Sequence, residues 1–220
     1  MNDMDATVDL DNLMIFPLPN ALLFPHAVLP LHVFEPRYRQ LVADSLAMGR
    51  TMAVACLDET RDSGDGAPPV RPLVGVGAIV AHEALPDGRS NILLRGLGRA
   101  RIDAEIAPPT GRLYRVVRAH WEKDDALDHQ HDEAVRQTLV ALASQLAHRL
   151  PEGGDTLRAL VESQPDAGAL SDLLAAALVT DREQRLRLFE ALEIPTRADG
   201  VAEAIGIALA TLGPDESGAN

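Results

Sequence analysis

The sequence predicts an α+β fold, a closed or partly open β-barrel followed by an α-helical bundle, and three observations carry that reading. Up to residue 122 the apolar residues come in short runs broken by prolines and glycines, the pattern of short strands. From Ala126 the apolar period changes from about two to about 3.6, the repeat of an amphipathic helix. The charge changes at the same place. Residues 1–122 hold 15 acids and 12 bases, and residues 123–220 hold 18 acids and 8 bases, so most of the net charge of −13 lies in the second part. The predicted organisation is therefore a barrel over 1–122, a helical bundle over 123–212 and a disordered tail over 213–220.

Proline placement sets the first elements. Residues 14–38 contain Pro17, Pro19, Pro25, Pro30 and Pro36. Proline has no amide hydrogen to donate, so in sheets it is confined to edges, strand ends and bulges. Short strands follow at 13–16, 21–24 and 28–33, and Pro36 opens a helix, where the missing donor does no harm. That helix, 36–48, puts Tyr38, Leu41, Val42, Ser45 and Met48 on one face, and Gly49 supplies a left-handed cap. Further strands are predicted at 51–57, 74–81, 90–94, 99–106 and 112–121. Gly75 and Gly77 suggest a bend or bulge, Pro86-Asp87-Gly88 a hairpin turn, and the polar stretch 58–69 the most mobile loop. Closure of this sheet would remove its exposed edges.

The helical part reads as stripes. Val135, Leu139, Leu142, Leu146 and Leu150 mark one helix, 157–161 a shorter one, and Leu170, Leu173, Leu174, Ala177 and Leu178 a third. Leu186, Phe189 and Leu192 mark a fourth that stops before Pro195; Val201, Ile205, Ala208 and Leu212 mark the last. Short connections predict an antiparallel cluster.

Composition excludes several functions. No apolar run approaches the ~20 residues that span a bilayer. The acidic N-terminus lacks the basic and apolar regions of a signal peptide, so a cytoplasmic location is expected. Cys56, alone in an apolar run, reads as a buried, inert thiol. Among the 20 basic residues only Lys123 is lysine. It lies in Trp-Glu-Lys-Asp-Asp, without the glycines of a phosphate-binding loop or the apolar setting of a lysine base. Arginine cannot substitute as a base because it stays protonated.

Four constellations remain as site candidates. His129 and His131 are the best metal ligands available, with Asp132 or Glu133 on the same helical face, but no further ligand lies nearby, and acids in a first turn are ordinary helix-dipole chemistry. A serine–histidine–acid triad, which would make a small hydrolase, has no Gly-x-Ser-x-Gly elbow behind it. Seven arginines at 89, 95, 99, 101, 112, 115 and 118 suggest RNA binding by the barrel, against which stand the acidic net charge and an aromatic content of 3%. His32 and Glu35 flank the helix entry. There Glu35 is read as structural, accepting hydrogen bonds from Arg95, Arg99 or Arg101 and so tying the helix to the sheet.

Several motifs resemble the substrate-recognition domain of Lon proteases. They are Leu23-Phe24-Pro25, then Leu29-Pro30-Leu31-His32-Val33-Phe34-Glu35-Pro36-Arg37-Tyr38, then Asp87-Gly88-Arg89-Ser90-Asn91-Ile92-Leu93-Leu94-Arg95-Gly96 and Gly98-Arg99-Ala100-Arg101-Ile102. Residues 181–190 resemble the segment before the family's last helices, with Phe189 where leucine is usual. The resemblance spans residues 12–212. It implies a PUA-like barrel with a helical bundle, standing apart from the family's ATPase and peptidase modules. It also implies a non-enzymatic module that needs no cofactor and binds unfolded or apolar polypeptide segments, with a separate ATPase–protease as a further possible partner. The residues suggest a route: the proline-broken loop with Leu22, Leu23, Phe24, Pro25, His26 and Val28 could present apolar groups to a client. Phe24 has two readings here, a binding anchor or a core residue. The RNA-binding barrel and the small hydrolase stand as alternatives.

Overall fold

The structure, a computed structural model, describes residues 8–61, 67–107 and 110–212. The predicted tail and part of the polar loop therefore lie outside the described residues. The chain divides into two compact units, Met1–Lys123 and Asp124–Asn220.

The first unit contains β1 (Leu13–Leu18), β2 (Val28–Val33), α1 (Pro36–Ala47), β3 (Thr51–Cys56), β4 (Leu73–Ala84), β5 (Ser90–Ile106) and β6 (Arg115–Glu122). β1 pairs in parallel with β3 and antiparallel with β6, β3 pairs with β4, and β4 with β5. The C-terminal half of β5 then pairs with β6, so five strands close into a ring. The N-terminal half of β5 uses the same edge to hold β2, which branches off that ring.

Alternation builds two cores. Leu13 and Ile15 of β1 and Ala53 and Ala55 of β3 join Val74, Val76, Ala100 and Val117 in one cluster, which draws on all five strands of the ring. Met14, Phe16, Met52 and Val54 point the opposite way and meet Tyr38, Leu41 and Val42 of α1. β1 and β3 are thus apolar on both faces. Helix α1 ends where Gly49 takes a φ of 99°, as a left-handed cap requires.

Two strand predictions need correction. Residues 21–24 are not a strand; they cross β4 and β5 with their backbone pressed against glycines. A Cβ at Gly75 would fall on the Leu23 carbonyl oxygen, and one at Gly96 on that of Phe24. Gly96 also donates to Ala27 O at 2.8 Å and accepts from His26 N at 3.0 Å. Nor do Gly96 and Gly98 divide β5, which runs unbroken through both. Those glycines make room for a crossing segment and for the Trp121 ring, 3.0 Å from a Cβ built at Gly98. Gly77 does flank a β-bulge, between β4 and β5.

The second unit contains α2 (His129–Arg149), α3 (Gly154–Glu162), α4 (Ala167–Leu178), α5 (Arg182–Glu190) and α6 (Ile194–Thr211). Asp128, Asp166 and Asp181 cap α2, α4 and α5 by accepting from the amides of His131, Ala169 and Gln184. Part of the acidic excess of this half is therefore helix capping. Helix α5 ends at Glu190, and Pro195 sits in the first turn of α6. Among the described residues no helix is long and apolar enough to cross a membrane.

Arg197 is the largest fully buried side chain among the described residues. Its guanidinium pairs with Asp124 and with Asp172, the latter at 3.0 Å. It also donates to Ser171 Oγ at 3.0 Å and Ala191 O at 2.6 Å. One side chain thereby gathers the start of the unit, α4, the α5–α6 turn and α6.

Candidate functional site

Strand parity fixes which groups β2, β5 and β4 turn outward. Along β5, Ser90, Ile92 and Leu94 are buried while Asn91 and Leu93 are exposed, and along β2 Val28, Pro30 and His32 are exposed. The register aligns Pro30 with Leu93 and Ala81, and His32 with Asn91 and Glu83. The outer face therefore carries an apolar row beside a polar one. Val28 is 54% exposed and Leu93 39%. A cleft of about 540 Å³ is lined by residues 30–32, 81–83 and 91–93 of these strands.

The polar row is a hydrogen-bonded chain across three strands. Asn91 Nδ2 donates to Glu83 Oε2 at 2.9 Å, and His32 Nδ1 lies 2.8 Å from Asn91 Oδ1. A carboxylate can only accept, so Asn91 must donate its amide there and accept through its oxygen. His32 Nδ1 then carries the proton, and Nε2 is left as an acceptor at neutral charge. His32 also stacks on the exposed Phe34 ring, with centroids 6.2 Å apart.

A second, smaller cleft of about 200 Å³ lies at the helix entry, between residues 17–19, Glu35, Arg37, Tyr38 and 113–115. Tyr38 donates to Pro17 O at 3.2 Å and packs on Phe16, with ring centroids 4.0 Å apart. Tyr114 donates to Asp44 at 2.6 Å. Burial pushes both phenols up, and for Tyr114 the hydrogen bond to Asp44 adds to the effect. Both are therefore neutral donors locking α1 to the barrel.

The predicted loop is mostly inside. Leu22, Leu23, Phe24 and Pro25 are buried, Phe24 completely. The backbone approach over Gly75 and Gly96 turns these side chains into core, so of the six only His26 and Val28 are exposed. Phe24 is thus a core residue. Glu35 differs from expectation too: it accepts from Arg37 Nε at 2.9 Å, an exposed neighbour two residues away, while Arg101 pairs with Glu122. Pro36 lies in the first turn of α1, and Arg37 also sits over the Tyr38 ring, 4.6 Å from its centroid. Arg95 stands opposite Val28, and Arg99 is buried.

The arginine cluster is largely spoken for. Arg89 pairs with Asp87 at 2.6 Å, Arg112 with Asp44 at 3.5 Å, and Arg115 with Glu105 at 2.6 Å. His131 is held by Asp128, its own helix cap. Among the described residues no group of three or more His, Cys, Asp or Glu side chains is placed to hold a metal ion. Cys56 is buried, as its apolar run predicted.

A family model described as the ATP-dependent protease La (LON) substrate-binding domain matches residues 12–205. The chain belongs to that family. Lon protease of Anaeromyxobacter dehalogenans is 26% identical over 193 residues, covering 88% of this chain and 23% of the relative. Lon protease of Trichlorobacter lovleyi is 28% identical over 191 residues, 84% of this chain and 22% of the relative. The chain thus spans about a quarter of the length of the relatives it matches. The N-terminal domain of the Mycobacterium avium complex Lon protease superposes with a TM-score of 0.71 at 16% identity, covering 89% of this chain and 98% of that one. A Lon N-terminal domain protein from Xanthomonas campestris gives 0.58 at 25%, covering 87% and 97%. The barrel-and-bundle fold is shared with these Lon domains, and the family match is to the substrate-binding domain, not to an ATPase or peptidase domain.

Sequence reasoning passed over Leu93, Asn91 and Glu83. The run Ile92-Leu93-Leu94 held a usable signal, because in a strand the middle of three apolar residues points away from its neighbours. Pro30 held another, since a proline inside a strand marks an edge.

Proposed function

We propose that this Lon substrate-binding domain recognises polypeptide through the outer face of β2, β5 and β4, and that it has no catalytic activity of its own. The observation that carries this reading is the exposed apolar row of Pro30, Leu93 and Ala81, with Val28 on one side of it and His32, Asn91 and Glu83 on the other. An apolar patch with a polar rim is how protein surfaces gain affinity without chemistry. Family membership supports the polypeptide as ligand. The solitary Lys123 supports the absence of ATP-driven or serine–lysine chemistry within this chain. Unfolding and cleavage of a bound client would fall to an ATPase–protease.

The test is binding of fluorescently labelled, unfolded casein, followed by anisotropy. Leu93→Glu places a charge in the row at an already exposed position, so the melting temperature should hold while Kd rises at least ~10-fold, the effect of losing one hot spot. Unchanged affinity would move the binding surface elsewhere. Loss of casein binding in high salt with Leu93→Glu silent would instead favour a charged surface such as the arginine segment.

A further inference from the structure

We propose that the free edge of β2 is a docking strand. It would take an extended polypeptide segment with apolar residues at every second position and a lysine or arginine at one end. The proposal rests on the polypeptide-binding reading above and deepens it by naming the backbone contact and the side-chain pattern.

The backbone comes first. Among the described residues β2 pairs with β5 alone. Gly96 N donates to Ala27 O, so residue 27 turns its carbonyl toward β5. In an antiparallel pair this orientation alternates. Residues 29, 31 and 33 therefore also face β5, and Val28, Pro30 and His32 face outward. Pro30 falls at an outward position, the place where its missing N–H breaks no ladder bond. The carbonyls of Val28, Pro30 and His32 and the amides of Val28 and His32 are left to meet an added strand. Strand addition uses such groups for affinity and alternate side chains for specificity.

Side chains choose the occupant. Val28, Pro30 and His32 stand at every second position beside the added strand, with Arg95 next to Val28, Leu93 next to Pro30 and Asn91 next to His32. Two apolar steps are thus followed by a polar one. At that polar end Glu83 accepts from Asn91 and forms no ion pair among the described residues. Its carboxylate and the Nε2 acceptor of His32 together ask for a cationic donor. An ammonium or guanidinium can donate to Nε2, and the Glu83 carboxylate beyond Asn91 favours its charge, whereas a carboxylate would meet like charge. A second copy of β2, Val-Leu-Pro-Leu-His-Val, offers no such cation.

The experiment uses the full chain and a labelled peptide alternating valine and threonine with lysine at one end, in both orientations. Binding is expected for one orientation. Methylating the amides that face β2 should weaken it about tenfold, the loss of two hydrogen bonds. Methylating the opposite amides should not. Glu83→Lys should weaken the lysine peptide and strengthen its glutamate counterpart, a reversal that misfolding cannot produce. Equal binding of both methylated peptides, an unchanged lysine preference in Glu83→Lys, or no binding at all would overturn the proposal. So would a dimer in sedimentation that excludes the peptide. If casein still binds and still responds to Leu93→Glu while the peptide fails, only the strand docking is lost. If Leu93→Glu is also silent, the recognition surface itself is wrong.

Discussion

The barrel unit and the helical unit solve the same packing problem with different materials. In the barrel the large side chains with less than 2% exposure are apolar, Ile15, Leu23, Phe24, Leu41, Met52, Ile92 and Leu94, while the buried Arg99 keeps 3%. Its tight spots are backbone against glycine, where the 22–25 segment crosses Gly75 and Gly96. In the helical unit the largest such side chain is a guanidinium. The ring of strands pairs its own main-chain groups, so that core needs little polar help. The turn between α5 and α6 leaves the Ala191 carbonyl outside any ladder, and Arg197 donates to it along with two acids. A folded polar network fixes one arrangement of short helices, but removal of its centre breaks buried ion pairs.

The largest test of that contrast is Arg197→Ala. It removes the guanidinium that pairs with the buried Asp172 and should cost about 3–5 kcal/mol, read as a lower urea midpoint with early loss of helical circular dichroism. Arg197→Met, which fills the space without charge, should destabilise too for as long as Asp172 stays charged. Pairing it with Asp172→Leu should recover most of the loss, because a packed apolar replacement of a buried ion pair is often neutral. A single Arg197→Ala variant as stable as the parent would make the network ornamental.

Phe24→Ala probes the barrel by the opposite mechanism, a cavity rather than a broken ion pair. About 3–5 kcal/mol should be lost, with casein affinity of the folded fraction unchanged. A variant that melts like the parent and binds less tightly would return Phe24 to the surface as an anchor.

A smaller effect separates local from tertiary stabilisation in the helical unit. Asp181 caps α5 through a 2.7 Å bond from Gln184 N. Asp181→Ala should cost about 1 kcal/mol, and Asp181→Asn, which keeps the acceptor, should recover most of it in thermal melts.

The smallest expected difference is in acid. In the barrel unit, Asp58 is held below the usual carboxylate range, first by the Thr60 hydroxyl at 2.6 Å, while burial opposes the shift. In the helical unit, Asp128 is lowered first by the amide of His131. A depressed carboxyl contributes stability that is complete above its unfolded value of about 3.9 and disappears as pH falls through its folded value. Asp58→Asn and Asp128→Asn should therefore each lie below the parent at pH 6 and converge on it toward pH 2. A gap that stays constant with pH would mean the charge on the acceptor is irrelevant.

Much of the fold was legible because local chemistry wrote it. Pro36 opens α1, Gly49 closes it, Asp87-Gly88 turns the β4–β5 hairpin, and the stripe through Val201 and Ile205 marks α6. The site was less legible. Residues 28–33 are apolar at both parities apart from His32, so the sequence does not say which face meets solvent. Arg197 sat in plain view on an apolar stripe, three residues after Ile194 and four before Val201. An arginine at such a position signals buried partners, but those partners lie 25, 26 and 73 residues away.

What the sequence determined by itself is where the chain turns, where it starts and stops a helix, and where strand period gives way to helix period. These depend on missing donors, backbone freedom and spacing within one or two turns of chain. Only the tertiary structure decided that Leu23 and Phe24 are core, that β5 runs through two glycines, and that the rows bearing Leu93 and Glu83 face outward. Each of those outcomes depends on which distant surface arrives to cover a residue. A glycine looks the same in sequence whether it bends a strand or admits a crossing backbone.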